Sequence, residues 1–298
     1  MRSRIFSRPC SVLAACALTV AAFVAPSKPL FAEGTASNAA NRIVAVGGAV
    51  TEIVFALGEE ERLVARDTTS NFPEEAAELP DVGYIRALSP EGVMSVDPDL
   101  ILMLEGSGPQ ESVDVLKKSG VAIADIPEGF TEEDILKKVR AVGDALGVPD
   151  KAEDLADQLS ADLEDARKQA ESNSTELRVL FVLMARGGRI MASGTDTAAH
   201  GIIDLAGAQN AVSDFSGYKQ LSDEAILSAA PDVVLMMQRG PNHDVAAQEV
   251  FNHPALAQTP AGQNKRVIVM GGQYLLGFGP RTADAIRDLS KQLTDLRS

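Results

Sequence analysis

The sequence predicts an α/β protein of two Rossmann-like lobes with parallel sheets, joined by one long helix and facing each other across a ligand cleft. Three observations carry that prediction. Apolar strand-like runs alternate with helix-like segments along most of the 298 residues, the pattern of parallel strands linked by crossover helices. One unit also occurs twice. Leu88–Met103 and Leu221–Met236, offset by 133 residues, both read Leu-Ser-x-Glu-x-x-x-Ser-x-x-Pro-Asp-x-x-Leu-Met, and a Gly-Tyr pair (Gly83–Tyr84, Gly217–Tyr218) precedes each copy. Between the copies, residues 149–172 set Ala152, Leu155, Ala156, Leu159, Leu163 and Ala166 on one stripe, with acids over the rest. At ~1.5 Å per residue that helix would be about 36 Å long, enough to pass from one lobe to the other.

In chain order, residues 1–32 read as a signal peptide. Arg2, Arg4 and Arg8 precede the apolar run Ser11–Ala25, which is too short to span a bilayer with margin, and Ala32 is the preferred cleavage point. Leu13–Ala14–Ala15–Cys16 resembles a lipoprotein cleavage box. Few residues separate Arg8 from Cys16, however, and the apolar run continues beyond it, so export without a lipid anchor is the reading adopted. Both cysteines, Cys10 and Cys16, fall in the leader, which leaves the mature chain without disulfides or thiolate ligands. The leader also takes four of the 27 basic residues and none of the 42 acidic ones. The mature surface is therefore more acidic than the whole chain's −15, which argues against a nucleic-acid partner, whose phosphates need a basic footprint. No later run reaches transmembrane length, so the mature protein reads as soluble.

The N-terminal lobe is expected over residues 41–148. Arg42–Val46 is its first buried strand, Gly47–Glu52 turns into a helix Glu52–Leu57, and Leu63–Arg66 is a second strand. Thr68–Pro80 reads as a polar loop. Then come the Tyr84 stretch, a helix over Glu91–Val96, strand Leu100–Leu104, helix Ser112–Lys118, strand Val121–Ile126 and an amphipathic helix Thr131–Leu146. That last helix opens Thr-Glu-Glu-Asp, with acids at its positive end. Gly147–Val148–Pro149 breaks it and starts the connector, 149–172.

The C-terminal lobe, 173–298, opens with strands Leu177–Met184 and Arg189–Ala192 around the turn Arg186–Gly187–Gly188. Helix Thr197–Ala206, strand Asp232–Met237, helix Val245–Phe251, strand Arg266–Met270 and the closing helix Thr282–Leu296 follow. A Gly-rich segment, Gly271–Arg281, is expected at the cleft edge.

Enzyme constellations are missing. His200, His243 and His253 are scattered, no HExxH or phosphate-loop pattern occurs, and Trp is absent. Tyr84, Arg86 and Arg239 stand out instead. A phenolate is a hard oxygen donor suited to ferric iron, and tyrosine is one of the axial ligands of haem. With a reference pKa of about 10, ionising a phenol at pH 7 costs roughly 4 kcal/mol, which a metal and a nearby guanidinium could offset. On residues alone, Tyr84 also fits an ordinary loop tyrosine and the arginines an ordinary solvated surface.

Gly47-Gly-Ala-Val-Thr-Glu52, Asp67-Thr-Thr-Ser70, Leu79-Pro-Asp-Val-Gly-Tyr-Ile-Arg86 and Leu275-Leu-Gly-Phe-Gly-Pro-Arg281 resemble the periplasmic haem-binding proteins of bacterial ABC importers, a branch of the class III (cobalamin and siderophore type) binding proteins. The resemblance runs in order through the mature chain, and Tyr-x-Arg is its most specific part. It implies a non-catalytic binder of haem b, monomeric and periplasmic, that delivers its ligand to an ABC permease and its ATPase for iron acquisition. Tyr84 would ligate the iron, Arg86 would help hold the haem, and Arg239 would hydrogen-bond the phenolate. Gly48, Tyr274 and Phe278 are further expected cleft contacts. Glu91 and Glu224, the paired acids of the repeat, would dock on permease arginines, although each also suits the positive end of a short helix behind a serine cap.

Some relatives place a histidine for a second haem where this chain has Met184–Ala185–Arg186, so a two-haem stack is less supported, and His200 reads as structural. Rival readings are a cobalamin or ferric-siderophore receptor on the same scaffold, a tetrapyrrole-modifying enzyme, and a zinc receptor, which would need clustered histidines.

Overall fold

Ile43–Val46 (β1) is buried at every position and pairs in parallel with Leu63–Arg66 (β2) on one side and Leu100–Leu104 (β3) on the other. Ala122–Ile126 (β4) adds to β3, giving a four-stranded parallel sheet in the order β2-β1-β3-β4. This computed structural model describes residues 40–174, 176–238 and 250–296. The expected leader with Cys16, Arg239, His243 and most of the expected helix 245–251 lie outside them; the end of that helix is a 3-10 turn, Val250–Asn252.

The helices of this first lobe are α1 (Gly48–Ala56), α2 (Glu74–Glu78), α3 (Pro90–Met94), α4 (Gln110–Lys117) and α5 (Glu132–Leu146). Helix α1 starts four residues earlier than expected, because Gly47, at φ 118, lets the chain turn straight from β1 into the helix. Helix α2 interrupts the expected polar loop. Helix α5 begins with a capping box at its Thr-Glu-Glu-Asp start, as Thr131 accepts from the Asp134 N–H and Asp134 accepts from the Thr131 N–H.

Pro149–Ser172 (α6) has the predicted bounds and is buried along one stripe. Ala152, Ala156 and Leu159 pack into the core under the first sheet, whereas Leu163, Ala166 and Ala170 pack into that of the second. Alanine and leucine at helical spacing let one rod serve two cores. Helix α5 lies close beside it. A methyl on Gly143 would overlap that of Ala152. In an open helix Gly→Ala gains roughly 1 kcal/mol, but here Ala152 cannot yield without moving α6. Gly143→Ala is therefore expected to destabilise by about 1–3 kcal/mol; a thermal midpoint at or above the wild type's would show that the two helices can part at no cost.

The second sheet runs β10-β9-β5-β6-β8, with β7 pairing β5. Its strands are Arg178–Arg186 (β5), Arg189–Ser193 (β6), Gln209–Asn210 (β7), Tyr218–Leu221 (β8), Val233–Gln238 (β9) and Val267–Gly271 (β10). The sheet is mixed rather than all-parallel, since β6 is antiparallel to both β5 and β8. Gly187 and Gly188, at φ 59 and 69, make the two-residue turn with positive φ at both positions that closes a tight hairpin. Helices α7 (Ala198–Leu205), α8 (Asp223–Ala229), α9 (Pro254–Ala257), α10 (Pro260–Gln263), α11 (Gly272–Leu276) and α12 (Thr282–Asp295) complete this lobe. Among the described residues no helix is long and apolar enough to cross a membrane.

The repeat is a structural repeat. Ser89 and Ser222 cap α3 and α8 by accepting from the N–H groups of Gly92 and Ala225, and each helix leads into a central strand, β3 or β9. Asp97 and Ala230, at the same place in the two copies, both adopt positive φ just before the Pro-Asp pair.

Candidate functional site

Asp81 shapes the loop that presents Tyr84. Its Oδ1 accepts from the Gly83 N–H at 2.8 Å and the Thr68 hydroxyl at 3.1 Å, and its Oδ2 accepts from Arg66 at 2.6 Å. Gly83 takes φ 107, and the Ala87 N–H closes a turn onto the Tyr84 carbonyl at 2.7 Å. Ile85 anchors the turn through its carbonyl, which accepts from the Gly108 N–H. The result is a tyrosine 47% exposed at the tip of a fixed turn. Among the described residues none bonds its hydroxyl.

Burial alone would raise the Asp81 carboxyl, but the Gly83 N–H, Arg66 and Thr68 together hold it below the ordinary aspartate range. A depressed carboxyl contributes order above its unfolded pKa and loses it as pH falls through the folded one. The Gly83 amide should therefore stay protected from exchange at neutral pH and open only in acid below the ordinary aspartate value. Asp81→Ala should expose it at neutral pH. Protection that survives in Asp81→Ala would show that other contacts hold the turn.

Arg86, two residues on and exposed, reaches electrostatically to the second lobe. Burial raises the phenol of Tyr218, while the Arg86 charge and a hydrogen bond with Thr197 act the other way. Tyr218 packs edge-on against Phe181.

A second loop of the first lobe runs beside the Tyr84 turn, tied to it by the Thr68 N–H on the Gly83 carbonyl. Asp67, fully buried, organises it by accepting from the Gly47 and Thr69 N–H groups and from the Thr69 and Ser70 hydroxyls. The second lobe grips this loop and the start of α1. Gln273 donates to the Gly48 carbonyl at 3.0 Å and to Glu52 at 2.7 Å, and its own carbonyl accepts from the Asn71 N–H at 2.9 Å. Arg281 forms a two-point ion pair with Glu52, at 3.0 and 2.6 Å. Burial pushes the Glu52 carboxyl up, and Arg281 and Gln273 pull against it. A cavity of about 310 Å³ opens beside this cluster, lined by Phe72 of the first lobe and by Gln238, Gln273, Tyr274 and Arg281 of the second.

The expected cleft contacts separate on inspection. Tyr274 does line the cavity, but its hydroxyl donates to Asp288 at 2.8 Å, and burial together with that carboxylate pushes its phenol up. Gly48 is buried under the Gln273 side chain, which a Cβ there would meet. Phe278 is 1% exposed, packs edge-on against Phe130, and its carbonyl accepts from the fully buried Lys138 of α5. The Gly-rich segment thus both edges the cavity, through Gly271–Tyr274 and Arg281, and ties the second lobe to the first, through Gln273 and Arg281. Sequence reasoning missed Glu52, Gln273 and Arg281 as one unit; the only signal was an acid and an arginine inside the two quoted motifs.

Glu91 and Glu224 are exposed at the starts of α3 and α8. A hydrogen bond from Ser89, then its own N–H, holds Glu91 below the ordinary glutamate range; for Glu224 its own N–H acts first and Ser222 second. Leu227 is exposed one turn beyond Glu224. His200 bonds Asn210 at 3.3 Å on α7. Among the described residues no three His, Cys, Asp or Glu side chains converge as metal ligands.

The periplasmic binding protein family model matches residues 43–274, and the chain belongs to that family. It is the solute-binding component of an ABC transporter, not an enzyme, and its partner is an ABC permease. Among solved structures, the periplasmic heme-binding protein BhuT in complex with two hemes is 37% identical (TM-score 0.81), and the match covers 86% of this chain and 99% of that one. The periplasmic heme-binding protein RhuT from Roseiflexus sp. RS-1, in apo form, is 36% identical (TM-score 0.82) over 87% and 99%. The vitamin B12-binding protein of Pectobacterium carotovorum is 26% identical over 86% of this chain and 89% of the relative.

Proposed function

We propose that this chain is exported by its leader, cleaved after Ala32, and captures ferric haem b between lobes 41–148 and 173–298, which are joined by the connecting helix 149–172. Tyr84 is the axial ligand as tyrosinate, Arg86 helps hold the haem, and Arg239 hydrogen-bonds the phenolate. A single oxygen ligand leaves the iron five-coordinate. The protein acts as a monomer and hands its haem, as an iron source, to a permease driven by its ATPase, docking through Glu91 and Glu224. The observation that carries this reading is Tyr84 itself, a half-exposed phenol on a hydrogen-bonded turn, two residues from an exposed guanidinium. Exposed Phe72 and Met184 offer the apolar surface a porphyrin face needs. The likeness to BhuT and RhuT supports haem as the cargo.

A cobalamin cargo is the second reading, favoured by the vitamin B12-binding relative. Titrating the purified chain in parallel with hemin, cyanocobalamin and a ferric siderophore separates them. Tight uptake of hemin alone supports the proposal; uptake of cobalamin with none of hemin overturns it.

A further inference from the structure

We propose that Phe72 is the aromatic wall of the cleft on which the ligand's flat ring stacks, and that Arg281 is the residue that positions it. This rests on the haem reading above and adds a contact that favours a planar macrocycle over a puckered one.

Phe72 is anomalous for a surface phenylalanine. It sits in a polar loop and is 40% exposed, yet its ring is engaged. The Arg281 guanidinium lies 3.5 Å from its ring centroid, which is face contact. Arg281 is itself fixed by the two-point pair to Glu52, and its charge lies 5.2 Å from the Tyr274 ring centroid as well. The loop beneath Phe72 is pinned by Asp67 from inside the first lobe and by Gln273 from the second. One face of the ring is therefore taken and immobilised, and the ring borders the cavity between the lobes. A fixed, partly exposed aromatic ring at the cavity edge is a ready platform for a flat partner. Its pre-organisation lowers the ordering cost for a flat partner.

The same loop is hydrogen-bonded to the Tyr84 turn, so the ring and the iron-seeking phenol share one foundation in the first lobe. A porphyrin is planar and aromatic on both faces and can offer a face to Phe72. A corrin ring is largely saturated at its periphery and carries amide chains on both faces, so it stacks poorly.

The test is equilibrium titration of the full chain with hemin and with cyanocobalamin, alongside thermal unfolding without ligand. Phe72→Ala and Phe72→Leu should each weaken hemin binding by about tenfold, the scale of one aromatic stack, with the thermal scan showing each variant fully folded at the titration temperature despite the lost Arg281 contact. Phe72→Tyr should restore affinity. Arg281→Lys keeps a charge for Glu52 but loses the flat guanidinium. It should weaken hemin binding in the wild type and have no further effect in Phe72→Ala, the coupling expected if it acts through the ring. Wild-type affinity in Phe72→Ala, or equal losses for hemin and cobalamin, overturns the inference. A wild-type chain that takes up no hemin at all sinks the haem reading instead, and this proposal with it.

Discussion

Tyr84→Phe is expected to abolish the charge-transfer band of the ferric haem complex and to weaken haem binding by more than ~100-fold, beyond what loss of a residue supporting a metal ligand costs. The substitution removes one oxygen and keeps the ring. Because the Tyr84 hydroxyl bonds none of the described residues and the side chain is 47% exposed, the unfolding midpoint should not change. A structural tyrosine would behave the opposite way, losing stability and keeping ligand. Should Tyr84→Phe retain both band and affinity, the ligand lies elsewhere. Tyr218, the tyrosine of the second Gly-Tyr pair, is then the next candidate, ahead of Tyr274, whose hydroxyl is engaged by Asp288.

The second large effect falls on delivery. Glu91→Arg and Glu224→Arg should leave hemin affinity intact and each cut the apparent affinity for the reconstituted permease by about tenfold or more, because a docked cation would then face a like charge. Both acids are exposed, and both carboxyls are held below the ordinary range by a serine hydroxyl and a backbone N–H, so each carries its full charge at neutral pH. The serines, not the acids, cap α3 and α8, and the charge reversals should spare the fold. The double variant should abolish haem-stimulated ATP hydrolysis in proteoliposomes. Full stimulation by the double variant would place the docking surface on another face.

The parts of the molecule legible in the sequence are those where a local pattern decides. Helix α6 has its predicted ends because a proline at its first turn and an alanine–leucine stripe specify it without reference to the rest of the chain. The repeat places α3 before β3 and α8 before β9 through the same Ser-x-Glu and Pro-Asp signals. Strand β8 was missed, since Tyr218–Leu221 is short, mostly polar and at a sheet edge. The contacts that close the lobes were illegible for a different reason. Glu52 and Arg281 are 229 residues apart, and neither side chain's neighbours in sequence say that the two will meet. Phe278 looked like a cleft residue because it follows a glycine in a Gly-rich run. Only the fold shows that its positive φ of 50 turns it into the core against Phe130. Phe72 carried a usable signal, an aromatic residue in an otherwise polar loop, which gains meaning only with Arg281 behind it.

The most direct test is a visible spectrum of the mature protein after one equivalent of hemin. A five-coordinate, high-spin ferric spectrum with a phenolate-to-iron charge-transfer band, absent from Tyr84→Phe, is the predicted result. A spectrum that stays that of free hemin, or one typical of nitrogen ligation and unchanged in Tyr84→Phe, would contradict it.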